Sequence, residues 1–310
     1  MYQMLEVLGD LIARGVSDIF CYADKPLYYK IQDHLYQGRI LTQQILLDFL
    51  VQHTDKSLIH AVNEGDERDF SFSYQKYFCR VHVFLSEGSI AVFLRILPQE
   101  VLSLFENKIF DSFKKVLENE KGLILVVGAT GSGKTTMANA VLDYLNSSFV
   151  KHIVCIEDPI EYRHVNKKSC FTYREVGKDT KSFEKGIVSA MRQNPDVIFI
   201  GELRDKKSIQ TALFAAHTGH VVLATMHARN SVGAISRLLN VFEDKMRTIE
   251  VAESLVGIIA QQKQNLEFDC EILLNTLAIK NLIKEEKLHQ IPSVMALAQN
   301  QGMKVFKNKD

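Results

Sequence analysis

Two hydrophobic patterns divide this chain. From about residue 122 onward, short apolar runs recur: Leu123 to Val127, His152 to Ile156, Val197 to Ile200, and His220 to His227 with a histidine at each end. Such runs predict strands buried on both faces. Between them, apolar residues fall at helical spacing: Ala138, Val141, Leu142 and Leu145, then Phe183, Ile187, Ala190 and Met191, then Ile209, Ala212, Leu213 and Ala216. Gly219 is placed to cap the last of these helices. Strands alternating with helices predict an α/β domain. The C-terminal part reads as helical around Ala278 to Lys287, with Lys280, Lys284 and Lys287 on a solvated face opposite Ile279, Leu282 and Ile283.

The first hundred residues follow a different rhythm. Leu5, Leu8 and Ile12 predict a helix from Tyr2 to Arg14, stopped by Gly15, and Ser17 to Tyr22 reads as a short strand. A second helix is expected from Thr42, burying Ile45, Leu46 and Phe49. The clearest feature is a hairpin from Tyr77 to Leu97 around the turn Ser86-Glu-Gly-Ser89. Centring the turn on Glu87-Gly88 places Arg80 directly opposite Arg95. Like charges facing across a ladder are destabilising. Either an anion lies nearby, or two solvated arginines fan apart from an exposed face. Pro98 ends the hairpin, and a linker leads into a helix expected over Leu102 to Glu118. The resulting organisation is an N-terminal domain over 1–98, a linker and helix over 99–120, and a second domain over 121–310.

Chemistry concentrates just after the first apolar run. Gly128-Ala129-Thr130-Gly131-Ser132-Gly133-Lys134-Thr135 matches G-x-x-x-x-G-K-[ST] at every defined position, and Thr136 follows. The glycines let backbone N–H groups turn inward to cradle phosphate oxygens, where a Cβ would block the approach. Lys134 can place a charge on the β- and γ-phosphates, and the Thr135 hydroxyl can ligate magnesium. The following helix aims its positive end at the same anion. A strand before and a helix after supply the context the motif needs, so the chain is expected to bind a nucleoside triphosphate.

Other candidates follow the later strands. Glu157, Asp158 and Glu161 come directly after one strand, where ligands bind in α/β sheets; alone, they would read as a solvated acidic turn. Glu202 ends another strand and suits a base that orients an attacking water. Gly201 stands where the usual pattern has aspartate, so magnesium must rely on Thr135, phosphate and water held by the acidic loop. His220 and His227 are either structural strand-end residues or contacts to a γ-phosphate.

Charge and composition narrow the rest. Lys plus Arg and Asp plus Glu are equal at 37, giving a formal net charge of +0. No overall pull toward nucleic acid results, and no basic–aromatic strip supports a DNA translocase. The five cysteines, at 21, 79, 155, 170 and 270, form no C-x-x-C pair. That argues against a zinc ribbon or disulfide framework and fits a reducing cytosol. No signal peptide or bilayer-length apolar run is seen, so membrane association is expected only through a partner.

With these residues assembled, the sequence resembles the type II/IV secretion ATPase superfamily, and within it the PilT-like retraction motors of type IV pili. The resemblance rests on four boxes in the family's order: Gly128 to Thr135; Ile156-Glu-Asp-Pro-Ile-Glu-Tyr162; Val197 to Glu202 followed by Leu-Arg-Asp; and Thr218-Gly-His-Val-Val-Leu-Ala-Thr-Met-His227. Ala278 to Lys287 is similar to the retraction motif A-I-R-N-L-I-R-E-G-K, with lysine at 280 and 284 and glutamate at 286. His217, where the family usually has glutamate, and a shortened stretch after Gln262 also depart from the pattern. The resemblance implies a RecA-like P-loop NTPase core with a smaller N-terminal α+β, PAS-like domain, assembled as a homo-hexamer that uses ATP and Mg2+. It implies Glu202 as catalytic glutamate, with Glu157 and Glu161 assisting, Thr135 and Asp158 at the metal, and His220 and His227 coupled to the γ-phosphate. Arg80 and Arg95 would reach the triphosphate from a domain or subunit interface. The implied partner is an inner-membrane pilus platform protein at the membrane's cytoplasmic face. A secretion or pilus-assembly motor, and a nucleotide-gated regulator without turnover, are the rival readings; Lys134 and Glu202 argue against the last.

Overall fold

The computed structural model describes residues 3–32, 34–54, 56–98, 105, 107–242, 247–264 and 267–306. By contact the chain divides into two compact units, residues 1–100 with 161–163, and the remainder.

The first unit opens with helix α1 (Gln3–Ala13), followed by strands β1 (Val16–Tyr22), β2 (Lys25–Ile31) and β3 (His34–Leu41). Helices α2 (Gln43–His53) and α3 (Lys56–Asn63) come next, then β4 (Arg68–Tyr74), β5 (Tyr77–Ser86) and β6 (Ser89–Pro98). The six strands form one antiparallel sheet in the order β3-β2-β1-β6-β5-β4. The Thr42 hydroxyl caps α2 by accepting from Ile45 N–H. That helix buries Leu46, Phe49 and Leu50, whereas Ile45 is only half-buried. Its core face is thus turned slightly from the expected one.

The hairpin register is as expected. Glu87 and Gly88 both have positive φ, 52° and 75°. This backbone matches strand twist and pairs Ser86 with Ser89. Arg80 therefore faces Arg95. On the other side of β6, β1 sets Asp18 opposite Arg95, and Arg95 Nε donates to Asp18 Oδ1 at 2.9 Å. A carboxylate of the same sheet thus offsets the charge of Arg95. Arg95 also lies over the Phe93 ring, 5.6 Å from its centroid.

In the second unit a 3-10 turn at Lys108–Phe110, capped by the Asn107 side chain, leads into α4 (Asp111–Asn119). The helix expected from Leu102 thus begins at Asp111, and residues 101–104 lie outside the described residues. Next come β7 (Gly122–Gly128), α5 (Lys134–Ser148), β8 (His152–Glu157), β9 (Cys170–Glu175), α6 (Phe183–Ala190), β10 (Val197–Ile200), α7 (Lys206–His217) and β11 (Val221–Met226). The unit closes with α8 (Ser231–Leu239), α9 (Arg247–Ser254), β12 (Leu255–Gln264), β13 (Glu267–Leu274), α10 (Leu277–Lys284) and α11 (Ile291–Leu297). The seven strands run β13-β12-β7-β11-β10-β8-β9, parallel except for β13 against β12. Every residue of β7, β10 and β11 is buried, as expected for strands covered on both faces.

The β12–β13 hairpin corrects the reading of the C-terminal part as helical. Only its last segment is, and there α10 buries Ile279 and Ile283. Lys280 and Lys284 both reach Glu253 on α9, at 3.3 and 2.5 Å, while Lys287 pairs with Glu285 beyond the helix. The five cysteines are all free. Among the described residues no helix is long and apolar enough to cross a membrane.

Candidate functional site

The phosphate loop occupies residues 128–135, between β7 and α5. Its shape requires glycine at two positions for different reasons. Gly133 caps α5 in the left-handed region, at φ 86°. Gly128 has no room: a Cβ there would collide with Ser132 Oγ and with the Gln261 carbonyl oxygen. Lys134 is buried, and its ammonium donates to the Ala129 carbonyl at 2.8 Å, so the lysine lies folded along its own loop. Asn139 Nδ2 donates to the Thr135 carbonyl at 2.9 Å, and Asn139 Oδ1 in turn meets His164 Nε2 at 2.9 Å. These bonds pin the first turn of α5, from which the half-buried Thr135 and Thr136 project.

A cavity of about 560 Å³ opens on the loop, lined by Ala129, Thr130, Gly131, Ser132, Arg229 and residues 261–263 of β12. Its size falls within the range of small-molecule sites. The backbone N–H groups of the loop, the α5 N-terminus and the Arg229 and Lys263 side chains suit a polyanion. The Ser132 hydroxyl is buried without a hydrogen-bond partner among the described residues. The residues present therefore fit a nucleotide's phosphates, and Thr135, on the first turn of α5, has the hydroxyl chemistry that could ligate a magnesium ion bound with them.

Adjacent strands deliver the other candidates. From the loop strand β7, the sheet runs to β11, β10 and β8, and their C-terminal ends carry His227, Glu202 and Glu157 in that order. Glu202 is held at both oxygens: Arg204 Nε donates to Oε2 at 2.8 Å, and His227 Nε2 lies 3.0 Å from Oε1. Arg237 on α8 ties the two clamps together. Its Nη1 donates to the His227 carbonyl at 2.8 Å and its Nη2 to the Arg204 carbonyl at 3.2 Å. Asp205 caps α7 by accepting from Ser208 N–H at 2.9 Å. Burial works against its ionised form, but hydrogen bonds from Ser208 and its neighbours outweigh that and hold its pKa below the usual value.

Gly201, where aspartate is usual, has a physical explanation. A Cβ at this position would stand 3.1 Å from Glu157 Cγ. The buried side chain of Glu157 fills the space that an aspartate on β10 would need. Asp158, by contrast, is exposed, and Glu161 is half-buried in the three-residue stretch that groups with the first unit.

His220 must be set apart from its counterpart. It precedes β11, and its carbonyl accepts from Gly122 N–H at the start of β7. Its ring Nδ1 lies 3.1 Å from the Ala215 carbonyl. The six residues of β11 separate the two histidines, about 23 Å over seven steps at ~3.3 Å per residue. Within the chain, then, His220 is at the opposite end of the sheet from the phosphate loop. Arg80 and Arg95 belong to the first unit. Arg204, Arg229, Arg237 and Gln261 were not anticipated, because each reads in sequence as an ordinary polar residue of a loop, helix or strand end.

Comparison with known proteins identifies the family. The family model for type II/IV secretion system proteins matches residues 34–305. The type IV pilus retraction ATPase PilT of Pseudomonas aeruginosa is 39% identical over 97% of this chain and 91% of that protein. A twitching motility protein of Neisseria gonorrhoeae is 40% identical over 77% of this chain and 67% of its own length. A solved structure of the pilus retraction motor PilT with bound ADP superposes with a TM-score of 0.86, at 35% identity, covering 94% of this chain and 89% of that one. With its phosphate loop beside a clamped glutamate, a RecA-like core and a smaller N-terminal domain, the chain is a PilT-like ATPase of the type II/IV secretion family.

Proposed function

We propose that this chain is the motor of type IV pilus retraction, working as a homo-hexamer at the cytoplasmic face of the inner membrane and contacting the membrane only through a pilus platform protein. The observation that carries the reading is the row of strand ends, in which the phosphate loop, His227, Glu202 and Glu157 stand on four adjacent parallel strands. ATP binds with its β- and γ-phosphates against the loop N–H groups of residues 128–136, and Lys134 leaves the Ala129 carbonyl for phosphate. Thr135 and Asp158 would hold a magnesium ion, which would supply positive charge against the phosphates, with Glu157 and Glu161 assisting at the metal and the water. Glu202 orients a water and takes its proton as the oxygen attacks the γ-phosphorus. The bond to ADP breaks, and inorganic phosphate leaves. His227, touching Glu202, relays the state of the γ-phosphate, while Arg80 and Arg95 contact triphosphate within the ring. His220 stands at the opposite end of β11, so its coupling to the γ-phosphate runs through that strand.

The family resemblance and the PilT relatives support retraction over assembly. Glu202→Gln is expected to keep ATP binding and lose turnover by about 10²–10⁴-fold. Deleting the gene in its source organism is expected to leave excess surface filaments and abolish twitching, with no rescue by the Glu202→Gln form. Loss of filaments would instead make this an assembly motor. An unchanged filament count with a secretion defect would assign it to protein transport.

A further inference from the structure

Gln261 stands on β12 beside Gly128, its register partner on β7 and the first residue of the phosphate loop. The residue is 3% exposed, yet its carboxamide Oε1 has no hydrogen-bond partner among the described residues. The amide borders the loop closely: a Cβ on Gly133 would lie 3.5 Å from Gln261 Nε2. Buried polar atoms are nearly always paired, because an unpaired one has given up its bonds to water for nothing. Ser132 is a second such case. Its hydroxyl is buried and has no partner among the described residues, and both residues line the same 560 Å³ cavity. Two orphaned polar groups beside one anion cradle mark hydrogen bonds that a ligand completes.

We infer that Gln261 is a nucleotide-contacting residue, whose carboxamide finds its partners only when a nucleoside di- or triphosphate fills the loop. The inference rests on the nucleotide-binding reading of that loop. A carboxamide is suited to the position because it carries two donors and an acceptor without charge. Rotation about its last bond presents N–H to a phosphate oxygen or Oε1 to a loop N–H or bound water. A lysine would compete with Lys134 for the anion, and a carboxylate would repel it. Gln261 also lies on the strand that leads into the β12–β13 hairpin, so nucleotide occupancy is felt directly by that edge of the sheet.

Replacing a structural glutamine and replacing a ligand-waiting one give opposite signs. Gln261→Met keeps the side chain's length and removes the unpaired buried oxygen. In the nucleotide-free full chain it is expected to raise Tm by about 2–4 °C, while the Kd for a fluorescent ADP analogue rises about tenfold. A fall in Tm overturns the inference whatever happens to binding, since the glutamine would then be holding the fold. A Kd equal to wild type overturns it as well. Gln261→Glu, which cannot donate and adds negative charge beside phosphate, is expected to weaken binding further than Met. Binding by the Glu variant as tight as wild type also sinks the idea. Failure of the wild type to bind the analogue would instead refute the nucleotide reading of the loop, leaving the two failures distinct.

Discussion

The two sheets of this molecule handle polar residues in opposite ways. In the antiparallel sheet of the first unit, buried and half-exposed residues alternate along β5, so Arg80, His82 and Phe84 share one face while Cys79, Val81 and Val83 fill the core. Charges sit in the middle of strands and are balanced across the ladder, as Asp18 balances Arg95. In the parallel sheet, β7, β10 and β11 tolerate no exposed residue along their length, and the charged groups are pushed to where the strands end. One sheet spreads its chemistry over a surface; the other gathers it along a line.

Four measurements test that contrast, beginning with the largest effect. Lys134→Ala at the line's first member is expected to lower ATP turnover by more than about a hundredfold with little change in Tm; a large drop in Tm would mean that the strand ends bear structure as well as chemistry. Within the parallel strands, Leu125→Ala removes a fully buried side chain and is expected to cost about 2–5 kcal/mol by chemical denaturation. Phe93→Ala on the half-exposed face is expected to cost less, and equal costs would erase the difference between the sheets.

A third test concerns acid. Burial pushes the His164 imidazole down to about 4 from its ordinary 6.5, against the pull of Asp143. The ring is neutral in the folded protein, bound to Asn139 and stacked on Phe171 at 4.8 Å. Its stabilising effect is present above pH 6.5 and is lost as pH falls toward 4, because the unfolded chain then takes up a proton that the folded one refuses. The loss amounts to at most about 3 kcal/mol. His164→Gln should flatten Tm between pH 7 and 5, and an unchanged slope would exclude His164 as its source. The smallest effect belongs to the open sheet. Asp18→Asn is expected to cost no more than about 1 kcal/mol, and less at high salt.

Most of the fold could be read from the sequence because its signals are local. The phosphate loop lies within eight residues, and the Glu87-Gly88 turn set the hairpin register far enough to place Arg80 opposite Arg95. Features that depend on which strands become neighbours could not be read. Asp18 meets Arg95 only because β1 pairs with β6. Glu157 fills the space beside Gly201 only because β8 lies next to β10. The β12–β13 hairpin escaped notice because Gln261 to Gln264 interrupt its apolar pattern with polar residues. His220 and His227 look equivalent in sequence, since each flanks the same strand. Strand direction alone sends one to the chemical end and the other to the far edge.

The grip of Arg237 on two carbonyls makes α8 part of a mechanical linkage. Sliding the helix as a body carries the backbone of Arg204 and His227 along together, and the jaws around Glu202 keep their spacing. Rotating the helix draws one carbonyl ahead of the other and opens or skews those jaws. The carboxylate is therefore tied to the orientation of α8 through two backbone carbonyls.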